Sequence, residues 1–231
     1  MRTVLVTGHS KGIGRSITEK LLERGDSVVG VSRTALNDQN ALFQFTADLA
    51  NTGVAADIGK KIIQSHNIDA VICNAGAGKF GALENFSAEQ IEQQIQLNLV
   101  SPLVLLQSVM PALKRQNQSN IVLVGSESAL HGGRFGSVYS AAKFGLRGAA
   151  QALRHECASA NCRVGIINPG MTRTGFFDEL SFEPGNSEQQ ALLASDVSEA
   201  VLTMLDSSRS AVIDEIVINP LHRVVQKKLK H

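Results

Sequence analysis

The chain has 231 residues, 43% apolar and 19% charged, with 22 basic against 21 acidic side chains and a net charge of +1. That is enough chain for one large domain with a substantial core. The balanced charge gives no electrostatic case for nucleic acid or an acidic membrane surface as partner.

The N-terminus, "MRTVLVTGHS", reads as a strand entering a turn and lacks the features of a signal peptide. The apolar runs are too short to cross a bilayer. Strands are expected at 3–7, 27–32, 42–46, 69–74, 120–125, 163–168 and 211–218. Helical periodicity fills most of the intervals, notably 12–24, 87–99, 102–116, 137–159 and 196–206. The last of these opens on a capping box, Asp196 to Glu199. Runs such as "TVLV" and "IVLV" are apolar on both faces, as strands covered by helices on each side must be. Alternating strand and helix points the same way. The expectation is a single doubly wound α/β domain over residues 1–231, with a seven-stranded parallel sheet and helices on both faces.

"TGHSKGIG", Thr7 to Gly14, follows the first strand and opens the first helix. Glycines at such a point let the backbone approach a pyrophosphate, and the helix N-terminus offers it unpaired N–H groups. A site for NAD commonly places a carboxylate at the end of the second strand. Here the chain reads Ser32–Arg33, and Asp38 lies well past that point. A guanidinium suits a 2′-phosphate, and Lys11 in the glycine loop adds a second cation, so NADP(H) is the expected cofactor.

Three cysteines (Cys73, Cys157, Cys162) without a CxxC pair, and six scattered histidines, argue against a disulfide framework or a zinc site. Reduced thiols in the cytoplasm are expected, and no structural or catalytic metal. The one tyrosine, Tyr139, stands four residues before Lys143 on one helical face. An ammonium beside a phenol lowers its pKa and fits it for general acid or base work.

Together these motifs resemble the short-chain dehydrogenase/reductase family. The resemblance runs from Thr3 to about Ile218. It rests on "TGHSKGIG", "NAG" (Asn74–Gly76), "LNL" with Asn98, Ser126 thirteen residues before Tyr139, "YSAAK", and "NPGMTRT" (168–174). It implies a Rossmann fold and a carbonyl reductase or alcohol dehydrogenase acting on a small carbonyl or alcohol substrate. Tyr139 would be the catalytic acid, and Ser126 would hold the substrate carbonyl, with Ser128 as a rival. Lys143 would tune Tyr139 and bind the nicotinamide ribose. Asn98 would hold a water in a proton relay.

By the same resemblance Gly8, Ser10, Lys11, Gly12, Ile13 and Gly14 would meet the pyrophosphate or adenosine end. Arg33 would meet the 2′-phosphate and Asp48 the adenine. Asn74, Ala75 and Gly76 would line the cofactor's middle. Pro169, Gly170, Thr172 and Thr174 would cover the nicotinamide. A homodimer or homotetramer through 102–116 and 137–159 is implied as well. A dinucleotide sensor without enzymatic activity is the alternative, and a sugar-nucleotide epimerase or dehydratase a third reading.

Residues 175–190, with Phe176, Phe177 and Phe182, read either as a lid over an apolar substrate or as a short surface helix packed on the core. His131 and Arg134 shape a loop or touch substrate. The basic C-terminal segment 221–230 reads as a solvated helix end.

Overall fold

A computed structural model of the chain describes residues 1–37 and 41–228. Asp38 and the last two residues of the 221–230 segment lie outside the described residues.

The chain opens with β1 (Thr3–Thr7), α1 (Gly12–Glu23), β2 (Ser27–Ser32) and β3 (Leu42–Thr46). Next come α2 (Thr52–Ser65) and β4 (Ala70–Cys73). The helical patterns singled out in the sequence do not include α2. The signal for it is present nonetheless: Asn51 accepts a hydrogen bond from the Val54 amide at 3.2 Å as N-cap. Ala55, Ile58 and Ile62 then fall on one buried stripe.

Ser87 and Gln90 form a capping box that starts α3 (Ala88–Ile95). The two helices expected at 87–99 and 102–116 are one continuous run. A π-helical turn (Gln96–Val100) joins α3 to α4 (Ser101–Leu113). By length and composition this run, Ala88–Leu113, is apolar enough to cross a membrane, contrary to the expectation of short apolar runs. Here Leu105, Leu106, Val109 and Leu113 are buried in the core of the domain.

β5 (Ser119–Val124), α5 (Ser137–Cys157) and β6 (Cys162–Pro169) follow. Short strands β7 (Thr172–Arg173), β8 (Phe182–Pro184) and β9 (Leu192–Leu193) lead to α6 (Ala194–Asp206). The chain closes with β10 (Glu215–Ile218) and β11 (Val225–Lys227). The capping box at Asp196 does not form. The helix starts two residues earlier, and the Asp196 carboxylate accepts from the Leu193 amide at 2.7 Å as a first-turn residue. The last sheet strand is shorter than 211–218.

Seven strands form one parallel sheet in the order β3-β2-β1-β4-β5-β6-β10. Period-two alternation divides its side chains between two cores. Leu5, Val29 and Val71 meet α2 and α4 on one face. Val4, Val6 and Ile72 meet Ile17 and Leu21 of α1 and Val197 and Val201 of α6 on the other. Both faces are dry, so these strands show no polar alternation. Strand order reverses between β1 and β4, and the crevice beyond their carboxyl ends is where this architecture takes ligands.

Candidate active site

The glycine loop lies at that crevice. Gly8 and Gly12 have φ of +68° and +52°, a region costly for any residue with a Cβ. Gly14 answers a different need, since a Cβ on it would stand 2.1 Å from the Gly8 carbonyl oxygen. The first turn of α1 can press against β1 only without a side chain there. Lys11 is the N-cap of α1 and makes no side-chain cap bond. The helix N-terminus thus keeps its N–H groups and partial positive charge for an anion. This arrangement fits a dinucleotide pyrophosphate.

β4 is tied to the loop. The amides of Asn74 and Ala75 both donate to Thr7 Oγ1 at 3.0 Å, and Asn74 Nδ2 donates to the carbonyls of Thr7 and Gly8. Ser10 Oγ lies 3.0 Å from Thr34 Oγ1, which joins the glycine loop to the turn after β2. Arg33 and Lys11 are exposed at this end of the crevice, Ile13 is half-buried, and Asp48 caps the turn after β3 by accepting from the Ala50 amide. His9, which its position in the sequence leaves uninformative, is 1% exposed and pairs through Nε2 with Gln44 Oε1 at 2.8 Å. Gln44 in turn holds both the amide and the carbonyl of Leu36.

At the carboxyl end of β6, Pro169 and Gly170 are buried. Thr172 Oγ1 donates to the Gly170 carbonyl at 3.0 Å. Thr174 packs against the glycine loop, and a Cβ on Gly12 would meet its Cβ at 3.2 Å.

The four expected catalytic residues converge beyond β4 and β5. Tyr139 and Lys143 are 7% and 4% exposed on α5, one turn apart. Lys143 Nζ donates to the Val124 carbonyl at 3.0 Å, at the end of β5 and two residues before Ser126. Asn98 sits in the π-helical turn, where Nδ2 donates to the carbonyls of Ala77 and Gln94. That leaves Asn98 Oδ1 buried and without a partner among the described residues. Asn98 Oδ1 and Lys143 Nζ both face Gly76, at 2.9 and 3.6 Å from where its Cβ would stand. A water bonded to Asn98 Oδ1 and the ammonium would satisfy that acceptor. Ser126 Oγ accepts from the Ser128 amide at 3.1 Å, so its own O–H is free to donate. Ser128, the rival, supports Ser126 through its backbone.

The expected acidification of Tyr139 by Lys143 is not found. Burial pushes the phenol up to about 12, hydrogen bonding with Ser126 pulls it down, and the Glu127 carboxylate adds to the rise. Burial likewise brings Lys143 down to about 8. In this dry setting desolvation is the largest cause of the shift for both groups, so at neutral pH the phenol holds its proton.

The segment 175–190 is not a surface helix. Phe176, Phe177 and Phe182 pack on one another, with centroids 5.2 and 5.9 Å apart, and Phe176 lies 6.0 Å from Tyr139. Phe80, which sequence reasoning missed, completes the enclosure at 5.3 Å from Tyr139 and 5.1 Å from Phe182. Its signal was an aromatic side chain four residues beyond "NAG".

The described part of the C-terminal segment, 221–228, is a correction, because it forms no solvated helix. β11 pairs antiparallel with β8, and Lys228 Nζ donates to the Phe177 and Asp178 carbonyls. Arg223 lies 3.3 Å from Glu127, the neighbour of Ser126. The alternation of Val225 and Lys227 with Gln226 suits a strand once a partner edge exists, and 221–228 supplies a strap across the aromatic segment. His131 and Arg134 are exposed, and Arg134 stacks on Phe135 at 4.6 Å.

Comparisons with known proteins agree with this geometry. The family model described as short chain dehydrogenase matches residues 2–184. The 3-oxoacyl-(acyl-carrier-protein) reductase FabG of Buchnera aphidicola subsp. Acyrthosiphon pisum is 32% identical, covering 78% of this chain and 77% of its own. The sepiapterin reductase of Chlorobaculum tepidum is 26% identical, covering 96% of this chain and 98% of its own. Among solved structures, an alcohol dehydrogenase from the archaeon Thermococcus sibiricus, complexed with 5-hydroxy-NADP, superposes with a TM-score of 0.85. It is 23% identical and covers 97% of this chain and 99% of that one.

Proposed function

This chain belongs to the short-chain dehydrogenase family of oxidoreductases, and on that premise we propose that it interconverts a ketone or aldehyde and the corresponding alcohol, with NADP(H) as coenzyme. One observation carries the reading: the Tyr139 phenol, Ser126 hydroxyl, Lys143 ammonium and unpaired Asn98 Oδ1 meet at the carboxyl end of the sheet. A dinucleotide sensor would have no use for that proton path.

A bound nicotinamide coenzyme would supply or accept the hydride. Ser126 donates its O–H to the carbonyl oxygen and stabilises charge developing there. Tyr139, protonated at neutral pH, delivers the proton to that oxygen. Lys143 and a water at Asn98 Oδ1 replace it. Arg33 and Lys11 would hold the 2′-phosphate, and the N-terminus of α1 would hold the pyrophosphate. Phe80, Phe176 and Phe182 exclude water and favour an apolar substrate body.

NADPH oxidation against a panel of aldehydes, ketones and diketones tests this. Turnover by the natural chain that falls at least ~10³-fold in Tyr139→Phe, with NADPH affinity kept, is expected. Tight NADP binding without turnover of any carbonyl would favour the sensor.

We further propose a cytoplasmic homodimer or homotetramer joined through α4 and α5, where Phe144 is 44% exposed. Light scattering at micromolar concentration checks the assembly, and a mass near 24.6 kDa would reject it.

A further inference from the structure

The catalytic serine is held by a line of polar groups that crosses three strands. The Ser126 amide donates to Asn168 Oδ1 at 3.1 Å, from the end of β5 to β6. Asn168 Nδ2 donates to Glu215 Oε1 at 2.5 Å, from β6 to β10. Glu215 is then gripped by both arms of Arg147 at 2.8 and 2.9 Å, and Arg147 lies one turn beyond Lys143 on α5. Asn168 is 0% exposed, so its carboxamide has no solvent to fall back on.

Gly125 makes room for the contact, because a Cβ there would stand 2.0 Å from Asn168 Oδ1. The orientation of the carboxamide is decided by its neighbours. Oδ1 must face the amide that donates to it, and Nδ2 must face the carboxylate. α5 thus carries two cations in register, one at the end of β5 and one clamping the edge strand that orients Asn168.

We propose that Asn168, Glu215 and Arg147 are positioning residues for Ser126: the Arg147–Glu215 pair locks the Asn168 carboxamide, which in turn sets the Ser126 backbone. None of the three touches substrate. The inference rests on the reading of Ser126 as the group that holds the carbonyl oxygen.

A polarity swap tests it. Asn168→Asp keeps an acceptor for the Ser126 amide but sets a second carboxylate against Glu215. Its kcat is expected to fall roughly 10- to 100-fold, with KM for NADPH within about 3-fold. Adding Glu215→Gln gives the introduced carboxylate an amide donor, and kcat is expected to return to within about 3-fold of the natural chain. Folded Asn168→Asp protein with unchanged kcat, or a loss that Glu215→Gln does not recover, overturns the proposal.

Should Asn168→Asp fail to fold, Arg147→Ala at the half-exposed end of the line is the second variant. It is expected to lower kcat about 3- to 10-fold at constant KM for NADPH, and no change in kcat would reject the role. Amide hydrogen exchange at Ser126 reads the coupling without turnover: faster in Asn168→Asp, slower again in the double variant. If the natural chain turns over no carbonyl, the proposed function fails while this exchange test still decides the coupling.

Discussion

The ring of Phe176 stands 6.0 Å from that of Tyr139 and is seated where a Cβ on Gly78 would meet it at 2.6 Å. The proton-bearing phenol therefore has an apolar wall from the segment that links β7 to β8. Phe80 supplies a second wall at 5.3 Å.

Phe176→Ala removes that wall. An apolar carbonyl loses the burial of one aromatic face, about 1.5–3 kcal/mol, so its KM should rise roughly 10- to 100-fold. A small aldehyde that never reaches the wall should change less than about 3-fold. Equal effects on both, in steady-state assays, would show that Phe176 does not line the substrate path.

The rate of carbonyl reduction should fall as pH rises through about 8, where the buried Lys143 loses its proton. Above that pH the relay lacks its ammonium, while Tyr139 stays protonated up to about 12. Alcohol oxidation, which needs a proton removed, should keep rising over the same range. A reduction profile that stays flat well above the Lys143 pKa of about 8 would remove Lys143 from the relay.

Lys143 also costs stability. Its pKa falls from 10.5 to about 8 on folding, so the unfolded chain binds more protons and stability should rise with pH between those values. Tyr139 has the opposite sign: its pKa is raised from 10.0 to about 12, so the folded chain binds more protons there. By itself that shift would make stability fall as pH rises between 10.0 and about 12. Lys143→Met removes a desolvation cost of about 3 kcal/mol and loses one bond to Val124 worth about 1 kcal/mol. The inactive variant should melt about 4–8 °C higher by calorimetry. A lower midpoint would show that the ammonium is net stabilising.

Arg33→Ala should raise KM for NADPH roughly 10- to 100-fold, the loss of one charge-assisted contact, and leave NADH within about 2-fold. Equal losses for both coenzymes would reject the 2′-phosphate assignment.

The alternation of dry strands with amphipathic helices was enough to specify the parallel sheet, because a strand buried on both faces is apolar along most of its length. β1 and β2 run at the expected bounds for the same reason, and the half-exposed β3 at its expected bounds through its β-rich composition. The glycine loop and the Tyr139–Lys143 pair were legible because their spacing is local: a few residues decide which groups share a turn. The direction of the Tyr139 pKa was not legible. Burial is a sum over many distant residues, and here it is the largest cause of the shift. Nor could spacing reveal that residues 225–227 cover 182–184, or that Arg147 reaches Ser126 through Glu215 and Asn168. Such pairings join segments tens of residues apart, and they exist only once the sheet has set its edges side by side.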